Sequence, residues 1–380
     1  MLALTAFGGP PTHFSMFLDR LVRLRGYLTE EELIELNALC QIIPGPTSTQ
    51  IITSIGFKIG GPNLAYLTLL VWMLPAVIVM IGAAILISTL QAKDIPIGFT
   101  RFIQPMAVGF VSFAAYTISV KVVKTRLAVI IMVISAIVSF FVKSPYIFPI
   151  LLLMAGSITA FKYHQQPKEE KSGFKIRWAN FILWVGVLIF AASLGGITRA
   201  MPVLLFENFY RNGSLVFGGS SVLVPFMYTE FVLFKEHLTS EEFLTGFAAV
   251  QAIPGPVFSF TAYIGGLAMR EYGIWGTILG GFVAAIGIFL PGTFLIFFVI
   301  RIWESLKKYR IIRASLEGIS AASSGMVVAA ALILFQPIET SFLNLGIVST
   351  TFILLAFTRI PAPFIILAGL LSGLIAGIFV

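Results

Sequence analysis

The chain has 380 residues, of which 58% are hydrophobic and only 11% charged, and its net charge is +8. A soluble domain has roughly a quarter of its residues charged, and a core this apolar would leave no surface for water. A soluble fold is excluded, and with it the nucleic-acid partner that a basic chain would otherwise suggest. What remains is an all-α, polytopic integral membrane protein, with apolar runs recurring at about the 20 residues a helix needs to cross a bilayer. The single cysteine, Cys40, rules out a disulfide framework or a cysteine-held metal cluster. The three histidines, His13, His164 and His237, are scattered, so no metal site and no cofactor are expected.

Residues 1–18 are apolar but interrupted by Gly8, Gly9, Pro10 and Pro11. No basic region precedes them, so no cleavable signal peptide is expected, and the abrupt start reads as a first helix short at its N-terminus. Arg20, Arg23 and Arg25 follow. Thr29, with Glu32 three residues later, forms a capping-box pattern that starts a helix over Leu33 to Ile43. Pro44 and Pro46 each remove a backbone donor and Gly45 supplies freedom between them, so the helix stops there. A short helix is expected from Thr47-Ser48-Thr49 to about Lys58, making 33–58 a hairpin that dips into the membrane and returns. Spans are expected at 63–90, kinked at Pro75, and at 102–120, 127–142 and 146–161. A charged linker, 162–177, and a single span, 178–194, precede a segment from Phe217 to Phe234 and a second broken hairpin at 243–269. Spans at 273–300, 317–335, 342–358 and 361–380 complete the chain.

The second half repeats the first. Phe7-Gly8-Gly9 matches Phe217-Gly218-Gly219, Leu28-Thr29 matches Leu238-Thr239, and Glu31-Glu32 matches Glu241-Glu242, all at an offset of 210. At the same offset, Gln41 and Pro44-Gly45-Pro46 match Gln251 and Pro254-Gly255-Pro256. Further on, Leu74-Pro75 matches Leu290-Pro291 and Gly109 matches Gly325, at an offset of 216. The chain divides into an N-terminal repeat, 1–162, a linker with a connecting helix, 163–202, and a C-terminal repeat, 203–380. Placing 20–25, 121–126, 162–177, 301–313 and Arg359 on the cytoplasmic side gathers 17 of the 25 Lys and Arg there. Loop 301–313 holds Arg301, Lys307, Lys308, Arg310 and Arg313, whereas its counterpart 91–101 holds only Lys93 and Arg101. Equivalent loops on opposite faces are the mark of inverted repeats. Inversion needs an even number of crossings per copy. Four spans and a re-entrant hairpin supply it if the Gly-Gly segment does not cross; if it does, another crossing is required near 195–214.

A helix broken inside lipid exposes unpaired N–H and C=O groups, tolerable only where protein or a wet cavity covers them. Its new N-terminus aims N–H donors and a partial positive charge at one spot, which suits an anion. The N-termini after Pro46 and Pro256 are the expected places, with hydroxyls of Thr47, Ser48 and Thr49 in one copy and Ser259 and Thr261 in the other. One Pro-Gly-Pro alone reads equally well as a plain kink; two at one register, each with a Gln three residues upstream, favour function. Gln41 and Gln251 carry amides that donate to an oxyanion or to a neighbouring helix. The paired glycines serve close helix packing or a ligand. His13 has Leu223 as its counterpart, so solvent or headgroup contact is expected of it rather than proton sensing. Lys58 either snorkels to the interface or draws an anion, with snorkelling favoured. Glu31-Glu32 and Glu241-Glu242 are expected to cap helices, and Cys40 to be a small buried side chain. No phosphate-binding Gly-rich loop and no nucleophile beside a base stands out, so neither an ATP-driven pump nor an enzyme is expected.

Ala6-Phe7-Gly8-Gly9-Pro10, Tyr27-Leu28-Thr29-Glu30-Glu31-Glu32, Gln41 through Pro46 and Ile55-Gly56-Phe57-Lys58 together resemble the chromate ion transporter (CHR) family. Phe217-Gly218-Gly219 and Gln251 through Pro256 repeat the resemblance, which covers essentially the whole chain in the family's two-domain form. It implies secondary transport of chromate, often linked to sulfate, and in many members efflux that confers chromate resistance. Two departures stand out: the short first helix, and Ser220 where the first copy has Pro10. The expected function is therefore secondary transport of chromate or a sulfate-like divalent oxyanion across the plasma membrane. The anion is expected between the hairpins, against Phe7, Gly8, Gly9, Gln41, Pro44, Gly45, Pro46, Thr47 and Ser48 of one copy and Phe217, Gly218, Gly219, Gln251, Pro254, Gly255 and Pro256 of the other. The alternative is a passive anion channel or a packing subunit of a larger membrane complex. Expected partners are the oxyanion, the lipid bilayer and, in a homodimer, a second copy of the chain.

Overall fold

The computed structural model describes residues 2–93, 98–162, 178–303, 309–358 and 360–378. Of the charged linker only Lys162 falls within them; His164, Lys168, Lys171, Lys175, Arg177, Lys307, Lys308 and Arg359 lie outside the described residues. Every regular element among the described residues is helical. The first copy holds α1 (Leu2–Thr5), α2 (Gly9–Phe17), α3 (Glu30–Ile42), α4 (Thr47–Ala92), α5 (Ile103–Val122), α6 (Arg126–Phe141) and α7 (Ile147–Ala160). Helix α8 (Ala179–Thr198) connects it to α9 (Met201–Gly213), α10 (Ser220–Tyr228), α11 (Ser240–Ala252), α12 (Phe260–Ala268) and α13 (Gly273–Val299). Three helices end the chain: α14 (Arg310–Phe335), α15 (Phe342–Phe357) and α16 (Ala362–Ile378).

The two copies share unusual local geometry as well as sequence. α2 runs into a π-helical stretch, Leu18–Arg23, and α10 into another, Thr229–Phe234. α3 and α11 both start with the expected capping box. The Thr29 hydroxyl accepts the Glu32 N–H at 3.2 Å while the Glu32 carboxylate accepts the Thr29 N–H at 2.9 Å, and Thr239 and Glu242 do the same at 3.1 and 2.8 Å. With 13 residues each, α3 and α11 are about 20 Å long, well short of a hydrocarbon core about 30 Å thick. Both must turn inside it. Each return strand of the hairpin regains its starting level, because Lys58 pairs with Glu32 and Arg270 with Glu242. Lys58 is therefore an ion-pair partner of Glu32, with its side chain still partly exposed. Beyond each hairpin the chain leaves helical backbone again, at Gly61 (φ 70°, ψ −162°) and at Gly273 (φ 71°, ψ −165°), before the long helices begin.

The long helices that follow, 62–92 of α4 and α13, are repeat equivalents and cross at the centre of the molecule. Gln91 meets Glu242 and Arg270 just before α13 starts. Ile81 packs on Gly281, and Tyr66 packs edge-on to Phe297 at 5.3 Å. The two helices thus run antiparallel. Later helices interlock in the same reciprocal way. A Cβ at Gly109 of α5 would fall 3.0 Å from the Val348 carbonyl oxygen of α15, and one at Gly325 of α14 would fall 3.0 Å from the Ala136 nitrogen of α6. Ser119 of α5 and Ser324 of α14 share a hydrogen bond of 2.8 Å across this seam.

Five helices among the described residues are long and apolar enough to cross a membrane: α4, α5, α8, α14 and the segment Arg270–Val299. Buried shares separate the central members, α13 and α14 at 72% and 67%, from the peripheral α8 at 11%. The helices expected at 127–142, 146–161, 342–358 and 361–380 are present as α6, α7, α15 and α16, and at 16, 14, 16 and 17 residues they are shorter than those five. Outer faces carry exposed Val129, Ile130, Val133, Ile134 and Ile137 on α6 and Ile182, Ile189 and Phe190 on α8, an apolar girdle that only lipid or another apolar surface would cover. Near 195–214, where a further crossing was conditional, stands α9, whose 13 residues reach only part of the way.

Close approach of α12 to α13 depends on missing side chains. A Cβ at Gly280 would fall 3.0 Å from the Gly265 carbonyl carbon and 3.0 Å from the Met269 Cβ, whereas one at Gly346 on α15 meets nothing within 4 Å. Gly280→Ala is expected to destabilise the detergent-solubilised protein by about 1–3 kcal/mol. Gly346→Ala is expected to leave it unchanged or to stabilise it by up to about 1 kcal/mol. Thermal unfolding of the two variants side by side checks the contrast.

Candidate functional site

The corners are dictated locally. A residue before proline is driven to extended backbone, and Ile43 (ψ 139°) and Ile253 (ψ 153°) terminate α3 and α11 in that state. Gly45 and Gly255 then adopt φ 121° and 115°, which side-chain-bearing residues rarely reach. Pro46 and Pro256 cap the next helical segments, α4 and the 3-10 turn Val257–Ser259 that continues into α12.

Each corner is completed by the other copy. The Gly45 N–H donates to the Val216 carbonyl at 2.8 Å, and the Gly255 N–H donates to the Ala6 carbonyl at 2.8 Å. Val216 and Ala6 immediately precede the two Phe-Gly-Gly motifs. Gly8 and Gly218 (φ 93° and 94°) and Gly9 and Gly219 (φ 76° and 85°) turn the chain there into α2 and α10. Packing is reciprocal too. A Cβ at Gly45 would fall 3.4 Å from Gly292 Cα, and one at Gly255 would fall 2.9 Å from Ala76 Cβ. Gly292 and Ala76 each follow the proline of the crossing helix, Pro291 and Pro75.

Four helix starts consequently border one narrow cleft with room for about 10 Å³, close to a single water. Pro10 and His13 come from α2, Pro46, Thr47 and Ser48 from α4, Ser220 from α10, and Pro256, Val257 and Phe258 from the turn before α12. First-turn N–H groups have no carbonyl above them in their own helix. Those of Thr47, Ser48 and Thr49, of Ser220 and Ser221, and of Val257 and Phe258 belong to this class. α2 differs, because Pro10 and Pro11 carry no N–H. The cleft is thus a donor-rich, partly positive pocket drawn from both copies, and none of the described residues lining it carries a permanent charge.

The other residues expected at the site are placed as follows. Pro44 and Gly45 are buried behind Pro46, Gly255 behind the second corner, and Pro254 is half-buried. Phe7 and Gly8 are exposed, Gly9 and Phe217 half-buried, Gly218 exposed and Gly219 buried, with Thr47 Oγ1 3.7 Å from where a Gly219 Cβ would stand. Gln41 is exposed, on the outer side of α3. Gln251 lines a neighbouring cavity of about 30 Å³ with Ser220, Ser221, Phe110 and Val111, so Ser220 stands at the junction of the two spaces. Glu241 and Glu242, expected as caps, also bind across the copies, accepting from Gln104 at 2.9 Å and Gln91 at 2.7 Å. Cys40 is buried, 3.9 Å from the Ser54 hydroxyl.

Two residues gain importance only in three dimensions. Gln50 is buried and its Nε2 donates to the Pro44 carbonyl at 2.7 Å, stapling the first corner, while its Oε1 has no partner. His13 is not at solvent or at a headgroup: it is 1% exposed and lines the cleft. Thr12 beside it on α2 is exposed, so the helix turns one face, with His13 and Phe17, inward. The buried hydroxyls of Thr49 and Ser259, repeat equivalents one turn into the helices, are also without partners.

An apolar chain whose broken helices open together onto one buried polar cleft has the build of a polytopic membrane transporter. The chain belongs to the chromate transporter family, whose profile, described as "Chromate transporter", matches residues 1–160 and 203–374. It is similar to an uncharacterized transporter of Methanocaldococcus jannaschii, 24% identical over 98% of this chain and 91% of that protein. It is also similar to a chromate transport protein of Pseudomonas aeruginosa, 23% identical over 88% of this chain and 78% of the relative. A chromate transport protein of Cupriavidus metallidurans is 25% identical over 99% and 90%. No solved structure matches the chain.

Substituting either corner glycine tests the interlock. Gly45→Ala and Gly255→Ala force a strained backbone and crowd Gln50 Nε2 and Ala76 Cβ respectively, each at 2.9 Å. Each is expected to destabilise the protein by about 2 kcal/mol or more, read as a lowered unfolding temperature in detergent.

Proposed function

We propose that the chain is a secondary transporter of chromate and sulfate-like divalent oxyanions in the plasma membrane, with the anion held in the cleft between the two Pro-Gly-Pro corners. One observation carries this: corners 210 residues apart in sequence start helices that open onto the same cleft. Chromate as the ion is supported by the relatives named as chromate transport proteins. Tetrahedral oxyanions need several donors around them, and N–H groups after Pro46 and Pro256 with the hydroxyls of Thr47, Ser48 and Ser220 supply these from more than one direction. Gln251, in the adjoining cavity, belongs to the path rather than to the central site, and Gln41 to the outer face.

The repeats, 1–162 and 203–380 about the connector 163–202, are inverted on this reading. The antiparallel course of α4 and α13 and the reciprocal bonds of Gly45 and Gly255 support it. Half-helices meeting at mid-depth between inverted repeats allow one repeat to rock against the other and expose the cleft to each side in turn.

Purified protein in vesicles is expected to take up radiolabelled chromate with a saturating rate that sulfate lowers by competition. Uptake of neither anion, or a flux that keeps rising with driving force, would overturn the proposal, the latter in favour of a channel. Ser48→Ala removes a hydroxyl beside the site. Because a hydrogen bond to a charged group contributes about 1.5–3 kcal/mol, it is expected to raise the half-saturating concentration about tenfold or more.

A further inference from the structure

We propose that His13 is the proton-carrying residue of this cleft: its Nδ1 holds a proton when an oxyanion is bound, so that each anion entering takes up a proton with it. This rests on the cleft being the anion site. His13 Nε2 lies 3.0 Å from the Ala6 carbonyl. A carbonyl only accepts, so Nε2 carries the hydrogen and a neutral ring keeps its lone pair on Nδ1. Nδ1 is buried and has no hydrogen-bond partner. In the neutral ring that lone pair repels an anion in the cleft; in the imidazolium Nδ1 donates to it. Anion and proton therefore favour each other's binding by the same factor in both directions.

The position on α2 has its own logic. Pro10 and Pro11 strip donors from the start of α2, and His13 stands one turn further along the same helix. The second copy keeps its donors at Ser220 and Ser221 and has Leu223 at the equivalent place. The Ala6 carbonyl that anchors the ring also accepts the Gly255 N–H, so the imidazole is fixed at the junction of the two copies. Its edge faces Trp72, with ring centroids 5.2 Å apart. The groups that share the cleft, the hydroxyls of Thr47, Ser48 and Ser220, do not titrate near neutrality. Lys58 of α4 pairs with Glu32, and Glu230, beyond α10, with Arg211 at 3.1 Å and Lys235 at 3.0 Å, while Arg20, beyond α2, is exposed. The Tyr263 hydroxyl of α12 donates to the Glu242 carbonyl. Asp19 and Arg23, beyond α2, pair with each other. The proton comes from the solution on the side where the anion enters and returns to solution where it leaves.

Sulfate is the probe, because it keeps its two negative charges throughout the neutral range while chromate does not. Sulfate affinity, read from the tryptophan fluorescence of purified wild-type protein, is expected to rise as pH falls from about 8 to 6, by up to about tenfold per unit. Adding sulfate to the protein in weak buffer with an indicator dye is expected to make the solution more alkaline, by up to one proton per anion bound. In His13→Gln, whose amide keeps a donor for Ala6 without titrating, sulfate affinity is expected to be independent of pH. Wild-type binding that neither changes with pH nor takes up protons leaves the cleft as an anion site and overturns the role of His13. Failure of both sulfate and chromate to bind wild-type protein at any pH overturns the cleft itself and this proposal with it. The two wild-type measurements decide the matter even if the variant does not fold.

Discussion

Two backbone hydrogen bonds, from Gly45 to Val216 and from Gly255 to Ala6, constrain everything around them. A helix that stops in an apolar medium leaves groups that no water will satisfy, at several kcal/mol each. Neither corner glycine has its N–H accepted within its own copy. Each borrows a carbonyl from the other copy, just ahead of that copy's Phe-Gly-Gly turn. The two hairpins therefore stand or fall together, and the crossing of α4 with α13 follows from bringing the corners to one depth. The small residues after Pro75 and Pro291, Ala76 and Gly292, are where that crossing has to leave room.

The duplication is symmetric in backbone and unequal in chemistry. Matching glycines differ by less than ten degrees in φ at every pair of breaks. Side chains diverge. Pro10, Pro11, His13 and Gln50 in the first copy face Ser220, Ser221, Leu223 and Phe260 in the second. The first corner is stapled by a buried amide, while the second is packed by aromatic rings, with Phe258 6.4 Å from Phe289 and Phe260 4.9 Å from Phe243. A shared scaffold with unlike linings gives a cleft whose walls do different work.

Much of this was legible in the sequence, for identifiable reasons. Capping boxes at Thr29 and Thr239, the stops at Pro44 and Pro254 and the freedom of Gly45 and Gly255 are local effects, so residues a few positions apart reveal them. The offsets of 210 and 216 disclosed the duplication and located α5 and α14. What escaped was set by contacts between distant residues. Nothing near Gly45 names Val216 as its partner. Gln41, three residues before a corner, seemed the natural polar contact, yet helical rotation turns it outward while Gln50, hidden in an apolar run, turns in. His13 was judged against its counterpart Leu223, which said nothing of where α2 begins.

The absence of a permanent charge among the described residues lining the cleft fits a carrier better than a store. A dianion held by buried lysines or arginines would be trapped, since the attraction between charges deep in a protein far exceeds that in water. Conduction requires a site favourable enough to enter and weak enough to leave. Helix ends supply about half a unit charge each, and their N–H donors are fixed in direction, so they would orient the proposed oxyanion without neutralising it. Because these ends come from different copies, the proposed rocking of one repeat against the other would pull donors away from the proposed anion. On the proposed reading, the movement that opens the cleft is then also the movement that weakens its grip, and the proton on His13 is released with the anion.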